Sequence, residues 1–531
     1  MSGNTTTWMV SIPHSSGVEI NAYLNVDSKP IRQQQKLKTL KEYIRKHPKG
    51  WKKRLELAQI LCLQGLWNEA IAQYYLVIKQ QPQLINVQLM LAKILHFMGR
   101  ESEAIKLYQS SLNSSDNLAS RKHLQGLIEI TNHKYYQATI EFASAASLEP
   151  SNNAHWYALA KAQMALEAPH KALKALRADS LQNTSDITQK IIRFIYTHDA
   201  LLELGDIQTA KEYLQKALEI APQDIQVLKR MADLRCRMKL VHGKTGKYTK
   251  QLIRHALKIA PAAAFVYNSL SYYYIFRGKW ERGRSILENF VSEYPQNPLG
   301  WYYYAVCLFH TGNNQAATKA IMQAYKLYPQ DCEIYRALCE ILPASGEINL
   351  LPEIIHQMLN LFSDRPSVWT IAGKILVDYF QEIQKGYTLS AKAIKLQPDL
   401  SSTWFDHGGI LASSGEYYQA IEIIKQGWQK LSTGDNSLTS IATPRLIVAA
   451  FWLGKSYQQL NDNINSDRWW KIALNYSHQL SKFDIANGYY WQGKILASLG
   501  NIEDSITAYR KACSNHLLYP ARQEVEKIVS E

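Results

Sequence analysis

The sequence predicts an all-α fold, an α-solenoid of about thirteen helix pairs, and three observations lead to this prediction. The stretch from Trp67, WNEAIAQYYLVIKQQP, superposes on the stretch from Arg100 after a shift of 34 residues. Small residues recur at one position of nearly every unit, and glycine or proline recurs where helices would end. At 531 residues the chain exceeds one ordinary core, as expected of units that stack on their neighbours.

The repeat units follow one another from residue 51. Their predicted first positions are 51, 85, 119, 153, 191, 225, 264, 298, 332, 366, 401, 447 and 486. Position 8 is small in twelve units, with His198 the exception, and position 20 is alanine in seven. Small residues at both positions let two antiparallel helices approach closely. Glycine between the helices ends the first one, and proline stops the second.

This pattern resembles the tetratricopeptide repeat over about residues 51 to 531. The resemblance implies a right-handed superhelix in which first helices line a concave groove and second helices form the outer wall. Three units depart from the pattern: Glu167 replaces the usual glycine, and Leu351 and Ser466 stand at position 20. The co-chaperone members of the family have asparagine at groove position 9 of their first units. This chain has Gln59 and Lys93 there, so that function is not predicted.

The segments outside the repeats are predicted from their own patterns. Leu37, Leu40 and Ile44 share one helical face ahead of Pro48, as expected of a capping helix. No secretory signal and no long apolar run is present, so a cytoplasmic location is expected. The predicted domains are an irregular or short-stranded arm (1–30), a basic capping helix (31–50), units one to four (51–186), units five to eleven (191–432), a polar linker (433–446) and units twelve and thirteen (447–531).

The sixth unit contains five extra residues. Ala232 fixes the first helix, whereas Ala256 and Pro261 place the second helix five residues later than in other units. The stretch KLVHGKTGKYTK, residues 239–250, is therefore predicted to be an extended basic turn. A phosphate-binding loop is excluded because Val241 stands where that motif requires glycine.

The net charge of +15 is concentrated in two segments. Residues 29–54 carry a net +10 and residues 229–258 a net +9, so the rest of the chain is slightly acidic. Such segments suit an acidic partner or are simply solvated surface. The candidate basic-patch residues are Lys38, Lys41, Arg45, Lys239, Lys244, Lys247 and Lys250.

The predicted groove combines lysines with aromatic rings. Positions 2, 5, 9, 12 and 13 of each first helix would face it, and position 9 is lysine in five units. Aromatic side chains beside ammonium groups suit an extended peptide with carboxylates and apolar anchors. Most members of the aromatic-rich stretch 265–309 would nevertheless serve as core. The candidate groove residues are Lys93, His96, Phe97, Tyr157, Lys161, Tyr272, Phe276, Tyr302, Phe309, Lys374, Lys455 and Lys494.

Catalysis is not predicted, because no familiar catalytic motif occurs and the repeats occupy nearly the whole chain. No cofactor is expected. The spacing of Cys332, Cys339 and His310 fits no usual zinc arrangement, so no metal site is expected. The favoured hypothesis is a scaffold that binds a protein or peptide with acidic segments. The alternatives are nucleic-acid (RNA) binding through the basic segments and, more weakly, peripheral binding of residues 29–54 to an anionic membrane surface.

Overall fold

The computed structural model describes residues 30–433, 444–482, 484–513 and 518–530. These residues form α-helices joined by short turns, and no strand occurs among them. The helices are α1 (Pro30–Lys46), α2 (Trp51–Leu63), α3 (Trp67–Gln80), α4 (Ile85–Phe97), α5 (Glu101–Asn113), α6 (Leu118–Thr131), α7 (Tyr135–Leu148), α8 (Asn153–Ala165), α9 (Pro169–Leu176), α10 (Asp179–Gln182), α11 (Ile187–Leu204), α12 (Ile207–Ile220), α13 (Ile225–Arg237), α14 (Gly243–Ile259), α15 (Ala264–Ile275), α16 (Trp280–Glu293), α17 (Pro298–His310), α18 (Asn314–Leu327), α19 (Cys332–Ala344), α20 (Leu351–Leu361), α21 (Pro366–Phe380), α22 (Ile383–Leu396), α23 (Ser401–Ser413), α24 (Tyr417–Thr433), α25 (Pro444–Gln459), α26 (Asn463–Leu480), α27 (Ile485–Ser498), α28 (Ile502–Cys513) and α29 (Leu518–Ser530).

Helices α2 to α28 form thirteen pairs, so the predicted right-handed α-solenoid is confirmed. In each pair a first helix packs against a second helix, which in turn packs against the next first helix. The short α10 is an addition to the fourth pair. Helix α1 packs on α2 with Leu40 and Ile44 buried, and α29 packs on α28 and also contacts α17, the first helix of unit eight. The predicted arm and linker lie almost entirely outside the described residues.

Positions 8 and 20 are small because the two helices of a pair nearly touch there. A Cβ atom added to Gly126 would lie 2.5 Å from the ring of Phe142, and one added to Gly493 would lie 2.7 Å from the ring of Tyr509. Larger residues are accommodated by hydrogen bonds to the partner helix. Ser466 Oγ donates to the Gly454 carbonyl at 3.1 Å, and His198 Nδ1 lies 2.9 Å from the Ala210 carbonyl oxygen.

The turn inside each pair passes through a left-handed residue. Glycine fills this position in eight pairs, at a φ between 70° and 94°. Non-glycine residues with positive φ, each strained by about 1 kcal/mol relative to glycine, stand at the corresponding turn of the other five. They are His133, Glu167, Lys239, Gln381 and Asn461.

First helices lie on the inner side of the superhelix. Successive first helices contact one another, as α13 contacts α15, α21 contacts α23 and α23 contacts α25. Within the described residues, no comparable contact joins successive second helices. The first helices therefore follow the smaller radius and form the concave face.

The superhelix is wound so tightly that two successive coils touch. Turns of units one to four pack against the ends of units six to ten, more than 190 residues away in sequence. We call this line of contact the seam. On the first coil it comprises Gly65, Gly99, His133, Tyr136, Leu166 and Glu167, and on the second Ala262, Tyr294, Tyr328, Phe362, Asp364, Arg365, Ser367 and Gln397.

Polar contacts hold the seam together. The Tyr136 amide donates to Asp364 Oδ2 at 2.8 Å. Glu167 Oε2 accepts from the Ser367 amide at 3.0 Å, and Glu167 Oε1 lies 3.5 Å from Arg365 Nη2. The glutamate that departs from the glycine pattern of the repeat is thus a contact between coils.

The prediction of an extended turn at 239–250 is wrong. Helix α14 begins at Gly243, so the extra residues lengthen the second helix, which has 17 residues against 14 in α12 and α16. Val241 is fully buried, and the Thr249 hydroxyl donates to the Leu240 carbonyl at 2.7 Å. These contacts anchor the added helical turn, which the sequence pattern of glycines and lysines concealed.

Candidate partner-binding face

The five lysines at position 9 all retain access to solvent. Lys93 is exposed, and Lys161, Lys374, Lys455 and Lys494 are half-buried. They belong to α4, α8, α21, α25 and α27, all of them first helices. All five therefore belong to the helices that form the concave face.

Most of the candidate aromatic residues are core residues instead. Exposure falls to 8% or less for five of them. The Tyr157 hydroxyl, for example, donates to the Gln189 carbonyl on the next first helix at 2.6 Å. Positions 5, 12 and 13 are covered by neighbouring helices, which the periodicity alone does not reveal. The buried members are Phe97, Tyr157, Phe276, Tyr302 and Phe309, whereas Tyr272 is half-buried.

Histidines accompany the lysines in units two to four. Burial lowers the pKa of His96 to about 3, and the neighbouring His133 and Lys161 lower it further. Burial likewise lowers the pKa of His123 to about 3, with His155 and Lys93 adding to the effect. These imidazoles are therefore neutral at physiological pH, and the cationic character of this part comes from Lys93 and Lys161.

Charged side chains in the middle of the concave face pair with one another. Arg230 binds Asp199 through two hydrogen bonds of 2.6 and 2.8 Å, and Lys229 Nζ lies 2.9 Å from Asp233 Oδ2. All four side chains are largely buried. Pairing offsets the cost of removing these charges from water.

The last units place two lysines among aromatic rings. Lys455 Nζ lies 5.3 Å from the ring centre of Trp452. Lys494 Nζ lies 5.6 Å from that of Trp491 and 5.8 Å from that of Phe451. Cation–π attraction holds both ammonium groups at the surface of this aromatic cluster.

Two acidic residues of the concave face escaped the sequence prediction. Burial raises the pKa of Glu340 to about 7, which the Arg336 guanidinium partly opposes. Burial also raises the pKa of Asp406 to about 7, partly opposed by Arg445. Both side chains are half-buried on first helices. Asp406 stands at position 6, which has no prevailing residue type, whereas Glu340 stands at position 9, where five other units have lysine, so the pattern of lysines gave no signal for it.

The predicted basic-patch residues lie on α1, on α14 and, for Lys239, in the turn that precedes α14. Lys38, Lys41 and Arg45 are exposed on α1, although Lys41 Nζ forms an ion pair with Glu69 at 3.1 Å. Lys244 and Lys247 are exposed near the start of α14, and its first turn contains no acidic residue. Lys239 and Lys250 are half-buried.

Metal ligands are not clustered in the part of the chain that the structure describes. Cys332 and Cys339 are buried on α19, where burial raises the pKa of each thiol to about 12. None of the described helices is long and apolar enough to cross a bilayer.

Models of known protein families match several parts of the chain. Tetratricopeptide repeat models match residues 269–331, 199–224 and 486–515. The model described as ChAPs (Chs5p-Arf1p-binding proteins) matches residues 66–200. The human mitochondrial import receptor subunit TOM70 is 21% identical over 232 residues, which cover 42% of this chain. The chain spans only 38% of the length of that relative.

Solved structures similar to the chain include two helical-repeat assemblies. The crystal structure of the APC/C hetero-tetramer Cut9-Hcn1 has 13% identity and a TM-score of 0.41 over 94% of each chain. The structure of Naa15/Naa10 bound to HypK-THB has 15% identity and a TM-score of 0.31 over 94% of this chain and 96% of that one. Such low scores add nothing to the fold assignment. The repeat models matched in separate regions, together with the thirteen helix pairs of the described residues, show that the chain contains tetratricopeptide repeats.

Proposed function

We propose that the chain is a non-enzymatic scaffold that binds an extended, acidic segment of a protein partner along its concave face. The tetratricopeptide-repeat fold supports a protein-interaction scaffold as the general function. The observation that carries the finer proposal is the row of accessible lysines, one on each of five first helices. Lysines along a concave surface attract a carboxylate-bearing segment and fix its position by charge complementarity.

Aromatic side chains add apolar contact area where the lysines are most enclosed. Lys494 and Lys455 lie against Trp491 and Trp452, so a bound segment would meet charge and ring together. A partner held by several such contacts needs no single deep pocket. We infer that recognition is distributed along the face.

The proposal is tested by capture of partners from lysate of the source organism at low salt, with and without nuclease. The variant Lys93→Glu/Lys161→Glu reverses two charges on the concave face. The control Lys106→Glu/Lys395→Glu reverses two exposed charges on the outer helices α5 and α22. We expect loss of a nuclease-resistant protein partner with the first variant only. Equal capture by both variants would remove the concave face from the proposal.

A second candidate function is RNA binding through the outer basic residues. Exposed lysines on α1 and near the start of α14 favour it, and the seam places the end of unit six against unit one, with Gly65 beside Ala262. The variant Lys244→Glu/Lys247→Glu would then weaken binding to single-stranded RNA, and affinity would fall steeply with salt. Salt-independent binding, or partner capture unaffected by nuclease, contradicts this candidate.

A further inference from the structure

Four ionisable side chains on the first helices of units nine to thirteen lack the ion-pair partners that their neighbours have. They are Glu340 on α19, Asp406 on α23, Lys455 on α25 and Lys494 on α27, all half-buried. Within the described residues, none of the four takes part in an ion pair or a side-chain hydrogen bond.

Neighbouring charges on α19 and α21 are paired. Arg336 Nη1 lies 3.2 Å from Glu333 Oε1, and Lys374 Nζ lies 2.7 Å from Asp378 Oδ2. Some charged residues of this surface therefore have ion-pair partners, and the four named above do not. Half-buried charges are costly unless they are paired, so an external partner would relieve that cost.

The titration of these groups agrees with their surroundings. Burial lowers the pKa of Lys494 to about 8, and the nearby Lys374, Lys455 and Lys527 lower it further, while Glu524 opposes the shift. Burial also lowers the pKa of Lys455. As noted above, burial raises the pKa of Glu340 and that of Asp406. Each group is thus enclosed by protein without a compensating charge at contact distance.

The four groups are separated by sign along the superhelix. The two carboxyl groups belong to α19 and α23, and the two ammonium groups belong to α25 and α27. Lys374 acts electrostatically on both Asp406 and Lys494, so the acidic and basic ends belong to one continuous surface.

We propose that this surface binds an extended protein segment with two charges of opposite sign, in one orientation only. A carboxylate of the segment lies between Lys455 and Lys494, and a cationic group lies against Glu340 and Asp406. The inference rests on the proposed scaffold function and specifies which part of the concave face binds the acidic group of the segment and which part binds its cationic group. Reversed placement would bring like charges together on a low-dielectric surface, which excludes it.

The spacing of the two charges follows from helix packing. The acidic and basic pairs are separated by two to three helix-to-helix steps of about 8–10 Å, or roughly 25 Å. An extended chain advances about 3.3 Å per residue, so roughly eight residues separate the two charges. If the same eight residues formed an α-helix, they would span only about 12 Å, roughly half of the distance between the two charged pairs.

Glu524 on α29 is a carboxylate of the chain itself that acts electrostatically on Lys494. It hydrogen-bonds to the Tyr490 hydroxyl at 3.5 Å and raises the pKa of Lys494 from a distance without forming an ion pair. Glu524 therefore competes weakly with the acidic group of a ligand. Replacing it by glutamine is expected to tighten binding of such a ligand.

The test uses the full chain and synthetic peptides of equal composition. One peptide has an acidic block and a basic block separated by a flexible linker of about eight residues. A second has the same blocks in the opposite chain order, and a third alternates the charges. A photo-reactive residue beside the acidic block reports where that block binds, and fluorescence anisotropy reports affinity.

We expect at least one block peptide to bind about tenfold more tightly than the alternating peptide and to cross-link to α25, α27 or α29. Lys455→Glu/Lys494→Glu should lose this affinity, as should Glu340→Lys/Asp406→Lys, and Glu524→Gln should gain affinity. The quadruple reversal should bind again with cross-links moved to α19 or α23. The outer control Lys106→Glu/Lys395→Glu should bind as the unmodified chain does.

Failure of this inference is distinguishable from failure of the scaffold function. If Lys93→Glu/Lys161→Glu abolishes partner capture but block and alternating peptides bind equally, the orientation proposal is overturned and the scaffold remains. If the cross-links fall on second helices, the proposal is also overturned. Lys494→Met and Asp406→Asn, which remove charge without reversing it, provide the same comparison if a reversal variant fails to fold.

Discussion

Charged residues have opposite roles at the seam and on the concave face of the last units. At the seam, Arg365 lies between Glu167 and Glu333, and every one of these side chains has a partner. On the concave face, Lys455 and Lys494 are enclosed without an ion pair. Comparable burial therefore serves stability in one region and leaves unsatisfied charge in the other. Burial alone therefore does not identify a charged residue that stabilises the fold; the presence of an ion-pair partner does.

The turns inside the pairs repeat this contrast. Turns of the first units meet the next coil, so an added Cβ on Gly65 would lie 2.6 Å from Ala262 Cβ. At Gly278, Gly346, Gly415 and Gly500 an added Cβ would meet nothing within 4 Å. The same left-handed turn thus packs against the second coil at Gly65, whereas it has no close neighbour at these four glycines of the later units.

The largest expected effect is that of Arg365→Met. Removal of the guanidinium leaves Glu167 and Glu333 without their shared partner in a poorly solvated place, and we expect a loss of about 2–4 kcal/mol in urea unfolding. The control Arg284→Met breaks an ion pair with Glu281, whose side chain is 78% exposed. That loss should stay below about 1 kcal/mol. Equal effects would mean that the seam contributes no more than surface pairs do.

Gly65→Ala and Gly278→Ala form a matched pair, because both glycines have a φ of 72°. Each substitution costs about 1–2 kcal/mol of left-handed strain. Gly65→Ala should cost about 1–3 kcal/mol more, since its methyl group collides with the second coil. Thermal unfolding of the two variants measures this difference. If the two melting temperatures coincide, the coils do not touch at this point in solution.

Lys494→Met is expected to act in the opposite direction to Arg365→Met and stabilise the fold by about 1–2 kcal/mol at pH 7. Burial lowers the pKa of Lys494 to about 8 from an ordinary value of 10.5. The cost of the enclosed ammonium is fully present below pH 8 and vanishes as pH rises toward 10.5, so the gain should shrink over that range. Exposed Lys106→Met serves as the control. A variant that is less stable at pH 7 would show that Lys494 is a structural charge.

The smallest effect is expected for Lys41→Ala. Its ion pair with Glu69 has a distance of 3.1 Å, and both side chains are about half exposed. Exposed pairs of this kind contribute less than about 0.5 kcal/mol, and salt screens them. Urea unfolding at low and high salt checks this value. A loss as large as that of Arg365→Met would erase the distinction between seam and surface.

The repeat was predictable because its determinants are local. Gly126 and Gly493 are small for contacts within their own pair, so the periodic pattern carries them. The first helix of the sixth unit was found through Ala232 in the same way. The extension of α14 was not, because Gly243 and Gly246 suggest a turn, whereas Gly246 is small since an added Cβ would lie 2.1 Å from the Val241 carbonyl oxygen.

The seam and the concave charges depend on arrangements that the pattern does not contain. Glu167 meets Ser367 across 200 residues, and that meeting depends on the angle accumulated over six units. The common face of position 9 stays a prediction, and only the structure shows that Tyr157 and Tyr302 are covered by neighbouring helices. Periodicity shows on which side of a helix a residue lies, whereas the packing of neighbouring helices determines whether that residue is exposed.

The most direct test of the account is lysine acetylation of the full chain, with and without its captured partner, read by mass spectrometry. One experiment compares Lys93, Lys161, Lys374, Lys455 and Lys494 on the concave face with Lys38, Lys41, Lys244 and Lys247 on the outer helices. We expect the partner to protect the concave set and to leave the outer set unchanged. Protection confined to the outer set would contradict it and assign binding to the basic helices α1 and α14.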